Sequence, residues 1–252
     1  MVRYRLTVEY DGGPYVGWQR QDNGLGVQQV VEEAIPKFAH ESAHVQCSGR
    51  TDAGVHSYGQ VAHFDLERDD LSADAVQGAL NYHMKPHPVA IVACEIVDED
   101  FHARFSATER EYLYRILNRR ARPAVEEGHV WWVPTPLDAQ AMHEAAQVLV
   151  GRHDFTTFRA TMCQADSPLK TLDELSVTRA AGDEIHIKAR ARSFLHHQVR
   201  NMVGTLREVG RGRWTSVDVK RALEAKDRSA GGQTAPADGL YFVRVGFEPR
   251  ES

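Results

Sequence analysis

Residues 47 to 57 read Cys-Ser-Gly-Arg-Thr-Asp-Ala-Gly-Val-His-Ser, which places a carboxylate, a guanidinium, an imidazole and several hydroxyls on one short stretch with glycines on either side of Asp52. Arg50 stands two residues before Asp52. A cation within a few ångströms keeps a carboxylate ionised, which suits a nucleophile or an electrostatic stabiliser and argues against a general acid. Gly49 and Gly54 open backbone conformations closed to other residues and let a ligand come near. The same composition also makes an ordinary surface turn with a solvated ion pair, so the rest of the chain has to decide.

Other stretches carry materials for nucleic-acid recognition. The loop from Asp11 to Gly26 holds Tyr15, Trp18, Gln19, Arg20 and Gln21. Aromatic faces, amides and an arginine can stack on unpaired bases and bond their edges; Trp18 is equally suited to the core. From Leu195 the apolar stripe Leu195, Val199, Met202, Val203, Leu206 and Val209 predicts a buried helix. At roughly 100° per residue, His196, Arg200, Arg207 and Arg211 share a neighbouring stripe. Gly204 lies near that edge and would admit a close partner. Phe194, His196 and His197, at the N-terminus of this helix, could serve an anion or a stacked base. Arg119, Arg120 and Arg122 form a second basic cluster, either a phosphate-contacting patch or a charged loop. Tyr112 and Tyr114 alternate on one strand face, and spacing alone does not choose between them. His56, His63 and Asp65 lack a recognised ligand spacing, so hydrogen-bonded roles are expected rather than a metal site.

These residues must be positioned by an α/β scaffold. Arg3 to Tyr10 alternates as a half-buried strand does. Val27 to His40 has helical spacing, with a kink or an early stop expected at Pro36. His44 to Ser48 and Gln60 to Asp65 read as strands flanking the Asp52 loop, Ser72 to Tyr82 as a helix capped by Ser72, and Val89 to Val97 as a strand. The order is β-α-β-β-α-β, that of a ferredoxin-like unit. It recurs with strand Thr108 to Asn118, helix Asp138 to Val150, strands Thr171 to Ala180 and Glu184 to Ala191, the Leu195 helix, and strand Leu240 to Phe247. A short helix, Val217 to Ala225, and a linker, Asp227 to Pro236, precede that last strand. Two tandem ferredoxin-like α/β halves with mainly antiparallel sheets are therefore expected, residues 1–104 and residues 105–252, with the active-site cleft between them.

Several blocks in order resemble the tRNA pseudouridine synthase A family. They are Glu9 to Gly12 with Gly17 to Gln21, Gly49 to His56, Asp100 to Ala107, Phe194 to Gly204, and Gly239 to Tyr241. The resemblance runs almost end to end. It implies an isomerase that converts uridine to pseudouridine at positions 38 to 40 of the tRNA anticodon stem-loop, with Asp52 as the catalytic carboxylate and Arg50 or Arg200 beside it. It implies that Tyr112 stacks on the target uracil and that Arg104, His56, Trp18, Arg20, His196 and Leu240 contact the substrate. It also implies a homodimer in which each tRNA touches both subunits. Ser57, where a smaller residue is more usual, and Pro36 depart from the family pattern; neither touches the proposed chemistry.

Composition limits the alternatives. The 252 residues carry 30 Lys+Arg and 35 Asp+Glu, a formal charge of −5, which is unusual for an RNA binder. The charge is unevenly spread: residues 1–104 hold 8 cations against 16 acids, residues 105–252 hold 22 against 19, and 24 of the 30 cations are arginine. Arginine offers phosphate a planar fork. Cys47, Cys94 and Cys163 are far apart and read as free buried thiols. No nucleotide-binding or zinc motif occurs, so no cofactor or metal is expected. The start has no apolar run after its charges and no segment is long enough to span a membrane, so a cytoplasmic protein is expected. Two other functions fit the same residues: an RNA-binding or RNA-chaperone module with a vestigial site, and a hydrolase of N-glycosidic bonds.

Overall fold

The computed structural model describes residues 1–161, 163 and 165–247. The chain forms two compact units, one made of residues 1–108 with the segment from Tyr241 on, the other of Glu109–Leu240.

The first unit is a sheet in the order β4-β1-β3, from Val2–Tyr10 (β1), His56–Leu66 (β3) and Val89–Val97 (β4), all antiparallel. The far edge of β3 carries two short partners. Gln46–Cys47 (β2) pairs antiparallel at His63 and Ala62, and β10 (Leu240–Gly246) pairs parallel at His56 and Ser57. Val27–Ala34 (α1), Pro36–Ala39 (α2) and Ala73–His83 (α3) complete the expected order. Tyr4, Leu6, Val8 and Tyr10, alternating on β1, form one core cluster with Val27, Val30 and Val31 of α1 and Val76 and Leu80 of α3. Alternation at period 2 thus meets helical stripes at period 3.6 across a single face. Pro36 acts as expected: α1 ends at Ala34 and Pro36 opens α2. Ser72 caps α3, its hydroxyl accepting from the Ala75 amide at 3.2 Å.

The second unit has the order β5-β9-β8-β7: Glu109–Leu117 (β5), Glu184–Ala191 (β9), Leu169–Arg179 (β8) and Gly151–Asp154 (β7), antiparallel throughout. Trp131–Trp132 (β6) adds a parallel pair to the end of β5. Its helices are Ala139–Ala146 (α4), Gln198–Gly210 (α5) and Ser216–Ala225 (α6). Asp138 caps α4 through the Ala141 amide at 2.9 Å, and Thr215 with Asp218 makes a capping box on α6. The whole predicted stripe of α5, from Leu195 to Val209, is buried.

The architecture is the mixed α/β, mainly antiparallel one that the element order implies, with five differences of detail. β2 has only two residues, while β3 starts at His56 rather than Gln60, because His56 and Ser57 gain ladder partners in β10 and β1 that are remote in sequence. α5 starts at Gln198: His197 takes φ +62° and the Gln198 amide donates to the Leu195 carbonyl at 3.0 Å, so residues 195–198 form a turn rather than a first helical turn. The last strand, read from sequence as part of the second half, lies with the first unit from Tyr241 on. The three cysteines are free but half-buried rather than buried. β6 and β7, two and four residues long, fall below the length at which alternation is readable.

Candidate functional site

The Asp52 loop is held from beneath by side chains that the sequence alone does not mark as partners. Gln60, fully buried on β3, accepts from the Ser48 hydroxyl at 2.7 Å and donates its amide to the Gly49 carbonyl at 2.6 Å. The Tyr10 and Thr51 hydroxyls share a buried hydrogen bond of 2.8 Å, and burial pushes the Tyr10 phenol well above its usual pKa. Ser57 accepts from the amides of Gly59 and Gln60 at 3.2 and 2.8 Å and faces the Phe242 carbonyl at 3.2 Å. This gives Ser57, the departure from the family pattern, a structural role in tying β3 to β10.

The 11–26 loop grips the same stretch through its backbone. Trp18 donates its amide to the Thr51 carbonyl at 3.1 Å, Gly17 forms an isolated bridge with Asp52, and Gly54 donates to the Tyr15 carbonyl at 3.3 Å. Gly17 has φ +111°, and a Cβ there would meet the Thr51 carbonyl oxygen at 2.5 Å, so only glycine fits. Asp52 itself is half-buried and Arg50 is exposed. The Val55 amide closes the turn on the Asp52 carbonyl at 3.2 Å.

The other first-unit candidates divide. Trp18 is 1% exposed and packs against Tyr10, ring centroids 6.0 Å apart. That is the core alternative left open above; as placed, the indole supports the loop and has no face for a base. His56 is 2% exposed, stacked on Tyr241 at 4.8 Å, with Nδ1 facing the Gly12 amide at 3.1 Å and the Asp11 carboxylate at 3.0 Å, so it too supports the loop from within. Arg20 is exposed beside Glu32 and Glu33, at 3.4 and 3.8 Å. Arg104 is exposed on the turn after β4. Asp65 makes a paired hydrogen bond with Arg3 at 2.7 and 2.8 Å, and His63 accepts from the Ala103 amide at 3.2 Å, so both have the ordinary bonded roles expected of them.

His63 has a consequence for pH. Burial, and then the neighbouring His102 and Arg3, lower its pKa to about 4. Between about pH 6.5 and 4 the unfolded chain binds this proton and the folded one does not, so stability is complete above that window and falls as pH drops through it. The expected loss is about 2 kcal/mol. Urea unfolding at pH 7.5, 5.5 and 4.5 should show a smaller acid loss in His63→Asn than in the parent; parallel curves would disprove the assignment.

In the second unit, Tyr112 and Tyr114 part company. Tyr114 is fully buried, donates to the Pro236 carbonyl at 2.8 Å and is pushed well above its usual pKa by burial. Tyr112, one turn of the pleat away, is half-exposed with Phe194 edge-on at 5.1 Å. A stacking role is therefore open to Tyr112 and closed to Tyr114. Arg200 is half-buried: its Nε donates to the Ala235 carbonyl at 2.8 Å and its own carbonyl accepts from the Ala235 amide at 3.1 Å. The close partner foreseen for Gly204 is this same linker, since a Cβ there would lie 1.6 Å from the Gln233 carbonyl oxygen. Arg228 pins the linker to α5, its Nη2 donating to Asn201, Gly232 and Thr234 at 3.1, 2.9 and 3.0 Å. The linker, which looked like a simple spacer in sequence, thus positions Arg200. Arg207 and Arg211 belong to a different setting, drawn together with Arg213 around Glu208 at 3.1 to 3.6 Å. His196 is exposed, and Leu240 is 5% exposed and sits in the core rather than open to a ligand. Arg120 is exposed in the loop after β5. Among the described residues no helix is long and apolar enough to cross a membrane.

Comparison with known proteins agrees with these blocks. The sequence model of the family described as tRNA pseudouridine synthase matches residues 6–106 and 145–248. The chain is similar to tRNA pseudouridine synthase A of Rhodospirillum centenum, 64% identical over 247 residues, 98% of this chain and 100% of that one. It is 64% identical to the Rhodospirillum rubrum protein of the same name, covering 88% of it, and 62% identical to that of Paramagnetospirillum magneticum, covering 96% of it, each over 98% of this chain. With a family match over both units and relatives aligned nearly end to end, the chain belongs to the tRNA pseudouridine synthase A family, a family of isomerases.

Proposed function

We propose that this chain isomerises uridine to pseudouridine at positions 38 to 40 of the tRNA anticodon stem-loop, with Asp52 as the working carboxylate and no cofactor. The observation that supports this reading most directly is the division of labour in the 48–57 loop. Ser48, Thr51, His56 and Ser57 are spent on holding the loop, and the half-buried Asp52 is its one acidic side chain. The reaction breaks the bond from uracil N1 to ribose C1′, turns the base and forms a bond from C5 to C1′. N1 gains a proton and C5 loses one to solvent, so neither redox change nor energy input is required. A preorganised carboxylate and nearby positive charge meet the demand for stabilising a charged sugar or a base adduct. In this reading Arg50 or Arg200 orients Asp52, Tyr112 stacks on the uracil, Arg104, Arg20 and His196 contact the RNA, and the enzyme works in the cytoplasm as a homodimer.

The deciding assay uses tRNA carrying uridine tritiated at C5. The expected result is tritium release at the three positions with all uracil retained in the RNA. Free uracil would indicate a glycosidic hydrolase, and tight salt-sensitive binding with no release would indicate a binding module. Arg120 has a separate role, as a phosphate contact. Arg120→Ala should raise KM severalfold and reduce the slope of log Kd against log salt by about one. A collapse in kcat instead would move Arg120 into the reacting centre.

A further inference from the structure

Among the aromatic side chains of the first unit, Tyr58, Tyr82 and Phe105 are exposed. Phe105 is 73% exposed, on the turn that follows β4. It is nevertheless held firmly. The amides of Arg104 and Phe105 both donate to Nδ1 of His102, at 3.1 and 3.3 Å, the Ser106 hydroxyl accepts from the His102 amide at 2.9 Å, and the Ser106 amide donates to the His102 carbonyl at 2.9 Å. With Nδ1 accepting, the ring proton sits on Nε2, which donates to Gln46 at 2.9 Å on β2. The His102 ring lies against Phe105 with centroids 4.3 Å apart and planes 36° from parallel, and the Arg104 guanidinium is 5.8 Å from the Phe105 ring. One aromatic ring is thus backed by a second and flanked by a cation.

The position of this group matters as much as its build. Arg104 and Arg50 are both close enough to Cys47 to oppose, through their charge, the burial that pushes its thiol up to about 12. The His102 contact with Gln46 places the exposed ring and its arginine beside β2, the strand that leads into the Asp52 loop. A firmly held aromatic ring beside an exposed arginine fits an unpaired nucleobase and its phosphate: the π-face takes any base, and the guanidinium takes the anion.

We propose that Phe105 is a stacking platform for an unpaired base of the RNA substrate, with Arg104 on the adjoining phosphate. The proposal rests on the tRNA reading above and adds a base contact outside the reacting nucleotide.

The test measures binding of an unmodified tRNA transcript to the full-length protein over a range of salt, with variants that separate stacking from mere apolarity. Phe105→Tyr should bind within about twofold of the parent, while Phe105→Leu and Phe105→Ala should bind roughly tenfold more weakly. The slope of log Kd against log salt should not change in these three. Arg104→Ala should instead lower that slope by about one. Phe105→Leu binding like the parent would overturn the proposal. So would a shift of oligomeric mass in Phe105→Ala, which would make this face a contact between copies. Tritium release by the parent is scored separately. Parental release with unaltered Phe105→Leu binding rejects the platform and keeps the synthase reading. Absent release with weakened Phe105→Leu binding rejects the synthase reading and keeps the platform.

Discussion

Asp52→Asn is expected to abolish tritium release, by at least about 10³-fold in kcat, while tRNA binding changes by no more than severalfold. Asparagine matches aspartate in shape, so the exchange removes the charge and little else. The turn should survive it, because the backbone of residue 52 is itself fastened, by the bridge to Gly17 and by the Val55 amide on its carbonyl. Thermal unfolding should therefore be unchanged within about a degree or two, roughly the effect of half a kcal/mol in a chain of this size. Asp52→Glu keeps the charge but moves it by a methylene, and a displacement of about 1 Å in a reacting group costs about 10²-fold. The expected order of kcat is parent, glutamate, asparagine. Asparagine retaining a tenth of parental turnover would remove Asp52 from the chemistry, and a large drop in melting temperature would show its side chain to be structural.

Gly204→Ala is expected to be the most damaging single methyl group in the second unit. Its Cβ would stand 1.6 Å from the Gln233 carbonyl oxygen, and Gly232 on the facing stretch of linker is also closely packed, its own added Cβ meeting the Gly204 carbonyl at 2.7 Å. Both neighbours are main chain, so no rotamer change relieves the clash. The linker must move away from α5, breaking the pair of hydrogen bonds between Arg200 and Ala235 and the Arg228 contacts with Gly232 and Thr234. The expected cost is about 3 kcal/mol, read as a fall in melting temperature of roughly 6–12 °C. A displaced Arg200 should also lower kcat by about 10²-fold at temperatures where the variant is fully folded. A folded variant with parental turnover would mean that Arg200 need not be held by the linker.

What could be read from the sequence, and what could not, follows from the range of the interactions involved. The α5 stripe, the Ser72 and Asp138 caps and the break at Pro36 are local patterns, and each forms where the spacing puts it. The Asp52 loop was recognisable as chemistry from its composition and its resemblance. Its supports were not: Gln60, Tyr10 and Ser57 reach it across ladders whose register no local pattern reveals. The same holds for Trp18 and Leu240, whose residue types suit a ligand or a core equally and whose burial depends on distant partners. Tyr112 and Tyr114 have identical spacing and identical chemistry, and only packing of Tyr114 under the Pro236 carbonyl tells them apart. Phe105 is the converse case, an apolar residue whose exposure no periodicity predicts.

The strand that finishes the first unit comes from far along the chain. Ser57 meets Phe242 across 185 positions of sequence, and Tyr241 is the ring against which His56 rests. During synthesis, the stretch bearing Asp52 leaves the ribosome long before either partner exists, so a nascent or prematurely terminated polypeptide has the acid without its complete support. Maturation of this loop is thereby tied to synthesis through Phe242.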